Sequence, residues 1–299
     1  MIARALREHV RGEDGGGGDI YGYQQSGWFI RDAMPQVSSI DSFIEAHQDN
    51  ERVKLCGKLA IVQSILVAEK NSLLFFDDQN RDAKLDFERL NKTWYNNFFR
   101  MLVAGCTRDN CRNLFNNVSF VIFNYDRCVE HFLFNAVQNY YDIEPGEAAI
   151  LMRVLRIIHP YGSVGTIPWQ TDGNPFPFGS VSRPGDLLSH ASEIKTYSER
   201  IEDVEAITSL HRLFIDAEKI VFLGFAFHDE NMELMKSGAP NVLRHVFATA
   251  RGISESDREV IREKIRDVFD KNVNKIPIQL RQDLKCHQIF DEYSRTLSQ

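Results

Sequence analysis

Apolar positions along the chain fall into two regimes. Up to about residue 116 they recur at helical spacing, and from Val118 onward short continuous apolar runs alternate with helical stretches. In the first regime Ile2, Ala5, Leu6 and Val10 predict a helix over 1–10, and Arg11 to Asp19, with Gly15–Gly18, reads as a loop. A phosphate-cradling glycine loop needs a strand before it and a helix after it, and here a helix precedes. Ser39 is suited to cap a helix over 38–48 that buries Phe43 and Ile44. Longer helical stretches follow over 53–76 and 91–106, so 51–116 reads as a helical module within a single domain spanning 1–299.

In the second regime, 118–124 (VSFVIFN) reads as a strand buried on both faces, followed by a helix over 126–140. Residues 153–160 form a second strand stopped by Pro160. The Pro- and Gly-rich 161–198 reads as a loop, and 199–216 as a helix. Strands over 219–225 and 245–250 are followed by helices over 229–236 and 254–271. The last of these carries Glu259–Arg262, Glu263–Arg266 and Asp267–Lys271 pairs. A final helix is expected over 281–297. Alternating strands and helices predict an α/β fold, a Rossmann-like parallel sheet with helices on both faces.

Composition narrows the function classes. Net charge is −7 over 299 residues, so a nucleic-acid surface is not indicated. No apolar run is long enough for a membrane span. Five cysteines in no framework spacing point to a reducing cytoplasm.

Ligands of a doubly wound sheet bind at the carboxyl ends of its strands, so chemistry is sought there. Three strand ends carry polar groups: Asn124 with Asp126, His159 with Tyr161, Gly162 and Ser163, and Gly224-Phe225 with Asp229 and Asn231. Asn124 can hydrogen-bond a ribose or a water. His159 is suited to general-base work near neutral pH. Gly224 lets a diphosphate approach the backbone. Each has a plainer role open to it: Asn124, Asp126 and Asp229 as helix caps, Gly224 as a turn, His159 as a hydrogen-bonded strand-end residue.

Taken in order, strand-Asn-x-Asp-helix, strand-His-x-x-Gly-Ser and strand-Gly-Phe-x-x-x-Asp resemble the sirtuin-like NAD-hydrolase domains of bacterial antiphage defence proteins. The segments SSIDSFIEAH (38–47) and FATARGIS (247–254) resemble that family too. The resemblance implies cleavage of the nicotinamide–ribose bond of NAD, with NAD as substrate and no metal, inside a homo-oligomer or beside an operon-encoded partner. It implies that Asn124 positions the ribose or the attacking water and that His159 or Tyr161 stands at the base position. It also implies that Asp126, Gly162, Ser163, Gly224, Phe225, Asp229 and Asn231 line the nucleotide. Where the family has His-Gly-Ser, this chain has Tyr161-Gly162-Ser163, with His159 two residues earlier. The family's opening strand and Gly-Ala-Gly-x-Ser loop have no counterpart before Met1, so that strand is expected from upstream or from a partner.

Other patterns fit less well. No G-x-G-x-x-G or G-x-S-x-G is present. Cys106, Cys111, Cys128 and His131 match no standard zinc spacing. Trp94, Tyr95, Phe98 and Phe99 read as helical core rather than a base-stacking platform. The expectation is an NAD glycohydrolase of antiviral defence; the alternative is an inactive sirtuin-like subunit serving assembly or nucleotide sensing.

Overall fold

In the computed structural model, described residues are 1–14, 19–77, 80, 83–171, 175–181, 183–201, 203–237, 245–269 and 276–298. Among the described residues helices predominate, and five short strands make two small, wholly parallel sheets. The chain is thus mixed α/β. Its contacts divide it into two units.

The first unit takes in 1–85, 122–132 and 159–202. Its centre is the Glu51–Asn71 helix, which starts where the Asn50 side chain accepts from the Val53 amide at 3.2 Å. Val53, Leu59, Val62 and Leu66 line its buried face. Against it pack the Ile2–Asp14, Ile20–Ala33, Ile40–Ala46 and Pro184–Glu193 helices, through Ala5, Leu6, Ile30, Phe43, Ile44 and Leu187. Ser39 caps the Ile40–Ala46 helix as its sequence predicts.

The second unit takes in 86–121, 133–158 and 203–299. It holds both sheets. Strand β1 (Ser119–Val121) pairs with β2 (Arg156–Ile158), Phe120 opposite Ile157. Strand β3 (Lys219–Phe222) pairs with β4 (His245–Thr249), and β4 with β5 (Ile278–Arg281). β4 is the central strand and the most buried. On one side Phe98 of the Trp94–Leu102 helix stacks edge-on against Phe120 and against Phe290 of the Cys286–Glu292 helix. The Val204–Asp216 and Glu255–Phe269 helices meet through Phe214 and Phe269, 6.3 Å apart.

Several expectations are corrected. The strands are shorter than their apolar runs: 118–124 yields only Ser119–Val121, and 153–160 only Arg156–Ile158. The Pro145–Met152 helix, opened by Pro145 in its first turn, precedes β2. The expected loop 161–198 contains the Pro184–Glu193 helix, again with proline in the first turn. The expected 199–216 helix is broken, because Asp203 turns its carboxylate onto the Ala206 amide and starts a new helix there. The tail holds β5 before its helices, where one helix was expected over 281–297. The first helix runs on to Asp14, while Gly15–Gly18 and Lys271 lie outside the described residues. Residues 51–116 fall on both sides of the division, 51–85 in the first unit and 86–116 in the second.

Candidate functional site

Six of the ten residues singled out from the sequence lie in the first unit: Asn124, Asp126, His159, Tyr161, Gly162 and Ser163. They sit on two bends, one after β1 and one after β2. Tyr125 anchors the first bend. Its ring is buried, its hydroxyl donates to the Asp41 carboxylate, and its carbonyl accepts from Val164 N at 3.1 Å. Burial and the neighbouring Asp41 push the phenol far above its ordinary value, so it stays a donor. Asn124 beside it is exposed. Asp126 Oδ1 accepts from Cys128 N at 3.1 Å, which makes it a cap of the Cys128–Tyr141 helix.

His159 ties the two bends together. Its Nδ1 lies 3.1 Å from the Asn124 carbonyl oxygen, and its Nε2 lies 2.7 Å from Glu130 Oε1. The histidine side chain is 12% exposed and the glutamate 2%. Burial alone would lower the imidazole pKa, but the Glu130 carboxylate and the Asn124 carbonyl outweigh it and the net shift is upward. Both ring nitrogens thus face oxygen atoms, an arrangement that favours the protonated ring, which can donate from each.

The Tyr161 ring is half-buried, 6.1 Å from Phe123, and its carbonyl accepts from Lys195 N at 2.9 Å. Gly162 follows at φ +83°, and a Cβ there would stand 2.1 Å from the Glu193 carbonyl oxygen. That close approach requires glycine. Ser163 Oγ donates to the Gly165 carbonyl at 3.2 Å.

Below this bend lies an ion pair with no exposure to speak of. Arg127 donates from Nε and Nη2 to the Glu69 carboxylate, and its backbone N–H donates to Glu69 Oε1 at 3.0 Å. Gly179 N also reaches Glu69 Oε2 at 3.1 Å, and Arg127 Nη1 donates to the Phe176 carbonyl. Glu69, Arg127 and Glu130 escaped the sequence reading. The signal was there: Val62, Leu66 and Glu69 share one helical stripe, and an acid on an apolar stripe implies a buried partner.

The other four residues, Gly224, Phe225, Asp229 and Asn231, belong to the second unit. Gly224 is exposed at φ +59°, and its N–H donates to Thr249 Oγ1 at the end of β4, 3.0 Å away. Phe227 also takes a left-handed conformation, φ +56°, unusual for so bulky a residue. It is buried, held between Phe222 and Phe225 at 5.4 and 5.1 Å. Asp229 opens the Asp229–Leu234 helix, and its carboxylate pairs with Lys264 at 2.6 Å, which holds it below the usual carboxylate range. Asn231 is half-buried in that helix.

Among the described residues, no three His, Cys, Asp or Glu side chains stand together as metal ligands. His131 is a core ring: its Nε2 meets the Leu74 carbonyl at 3.0 Å, it stacks on Phe178, and burial drives its pKa down to about 4. No helix among the described residues is long and apolar enough to cross a membrane. No protein-family model, curated protein or solved structure matches the chain.

Proposed function

We propose that the chain is a sirtuin-like, Rossmann-like NAD-binding protein that hydrolyses the nicotinamide–ribose bond of NAD in antiviral defence. The observation that carries this reading is an exposed Asn124 amide on a bend whose neighbours are immobilised: Tyr125 on Asp41, His159 on Glu130 and on the Asn124 carbonyl. Catalysis of bond cleavage needs such positioning more than it needs a strong base. Departure of nicotinamide leaves an oxocarbenium-like ribosyl cation. Asn124 holds the ribose hydroxyls or the attacking water through its amide. The cation captures water before the water's proton is lost, and that proton then passes to solvent. His159 serves here as a positioning residue, in place of the base role its type suggests. Asp126, Tyr161, Gly162 and Ser163 line the nucleotide. The protein works in the cytoplasm, as a homo-oligomer or with an operon-encoded partner.

The test is NAD loss over time with parent and Asn124→Ala protein at matched folded concentration. The expected result is loss of hydrolysis with an unchanged unfolding transition; a folded, active Asn124→Ala protein overturns the assignment.

One observation favours a second reading, that of a non-catalytic subunit for assembly or nucleotide sensing. Both His159 nitrogens are already engaged. That reading expects calorimetric NAD binding by the parent with no NAD consumed, with or without the partner.

A further inference from the structure

The five cysteines are free thiols in unlike surroundings. Cys56 is buried, its thiol donates to the Tyr23 carbonyl at 3.3 Å, and burial pushes its pKa up to about 11, so it is inert near neutral pH. Cys106 and Cys111 stand closest together in sequence, and both belong to the second unit.

The turn between them brings their side chains together. The chain leaves the Trp94–Leu102 helix through Gly105 at φ +78°, and the Cys106 N–H donates to the Val103 carbonyl at 2.9 Å. A 3-10 helix then runs over Arg108–Asn113 with Thr107 as its cap. Asn110 Oδ1 accepts from Thr107 N at 2.7 Å, the returning bond of a capping box. Cys106 is thus the residue before the cap and Cys111 the fourth of the helix. An apolar pair at these two positions packs side chain on side chain and staples the start of a helix. Here the staple is made of two thiols.

Their neighbours show the same grouping. The Cys106 thiol donates to Asn110 Oδ1 at 3.1 Å, and the buried Tyr141 hydroxyl donates to the Cys106 carbonyl at 3.4 Å. Burial raises the Cys111 pKa and Cys106 raises it further, while Arg112 and Arg108 act the other way. Burial raises the Tyr141 phenol too, and both cysteines add to that shift. Access separates the pair. Cys106 and Asn110 stand in the wall of a solvent-open cavity of about 190 Å³, whereas Cys111 is 8% exposed.

We propose that Cys106 and Cys111 form a peroxide-sensitive thiol pair, in which Cys106 is oxidised and Cys111 resolves it to a disulfide. The oxidant is a hydroperoxide. The Cys106 sulfur attacks one peroxide oxygen, the O–O bond breaks, and the departing oxygen takes the thiol proton and leaves as an alcohol, or as water from hydrogen peroxide. Cys106 is then a sulfenic acid. The Cys111 sulfur attacks the Cys106 sulfur, the S–O bond breaks, and the hydroxide takes the Cys111 proton and leaves as water. Two thiols and one peroxide give one disulfide, one alcohol and one water. A dithiol restores the pair by exchange, as the transient disulfides of reducing compartments require.

The experiment treats the reduced 299-residue chain with stoichiometric hydrogen peroxide, blocks remaining thiols and digests with trypsin without reductant. Cleavage after Arg108 parts the two cysteines into 101–108 and 109–112, so the disulfide is read as these two peptides linked. That link is expected to be the main oxidation product. Cys111→Ser is expected to fold and to keep Cys106 as a sulfenic acid that dimedone captures, and Cys106→Ser to leave Cys111 a thiol at the same dose. A glutathione titration of the parent, in buffer and in urea, is expected to give the pair an effective concentration about tenfold or more higher when folded. It needs no variant, so it decides even if both serine proteins unfold. The proposal is overturned by any of four results: no linked peptides, a main disulfide to another cysteine or to a second molecule, a folded Cys111→Ser protein without Cys106 sulfenic acid, or equal effective concentrations in buffer and in urea. In the last case the fold would contribute nothing to the pair.

Discussion

The bends after β2 and after β3 each carry glycine at positive φ, and they are held in different ways. At the first, Gly162 presses on the Glu193 backbone while His159 is pinned between a buried carboxylate and a carbonyl. At the second, Gly224 has ordinary contacts, with Cys286 Sγ 3.8 Å from where a Cβ would stand, and the ion pair nearby lies at the surface. One end is fixed by buried charge and tertiary contact, the other by backbone conformation and aromatic packing. Buried charges cost desolvation, and a protein that retains them beside an exposed amide gains a bend that cannot drift.

The comparison can be broken from its strong side first. Glu69→Ala strands the buried Arg127 guanidinium and orphans the Gly179 amide, so a loss of about 3–5 kcal/mol in urea unfolding is expected. A loss below about 1 kcal/mol would mean that water reaches the pair. Gly162→Ala combines a disfavoured φ with a collision against backbone, and about 2–3 kcal/mol is expected, the upper part of the usual range for single substitutions.

His159→Gln removes one charge-assisted bond to Glu130, worth about 1.5–3 kcal/mol. Its sign with pH is fixed by the raised imidazole pKa. The contribution is fully present below the unfolded value near ~6.5 and is lost as pH rises through the folded one. The gap between parent and variant should therefore be widest at about pH 5–6 and narrow in alkaline buffer. A gap that widens with pH contradicts the raised imidazole pKa. The smallest effect is Gly224→Ala, where only conformation is lost, about 1–2 kcal/mol by thermal melting. Equal losses at Gly162 and Gly224 would erase the distinction between the two ends.

Much of the secondary structure was legible because it is local. Ser39 caps its helix as its residue type suggests, and four of the five strands begin inside the expected apolar runs. β5 was missed because its Ile278-Gln279-Leu280-Arg281 alternates polar and apolar, as one side of its sheet requires, and lies next to a helical tail. The break at Asp203 turns on one carboxylate choosing a backbone amide, which periodicity does not record. Asn124 and His159 were findable as polar groups at strand ends. Their contact was not, since 35 positions separate them. Glu130 was hidden for the same reason: only the fold brings 130 beside 159.

The Glu69–Arg127 pair also constrains how this sequence can vary. Replacing either member alone leaves an unpaired charge in a dry interior, while replacing both with apolar side chains of similar volume can cost little or even stabilise. The two positions are therefore epistatic: the fitness of a change at 69 depends on what stands at 127. Gly179 and the Phe176 carbonyl share the network, so the loop over 175–181 is drawn into the same dependence. Any mutational path to an uncharged centre for this unit has to cross a valley whose depth is set by desolvation of a single carboxylate or guanidinium.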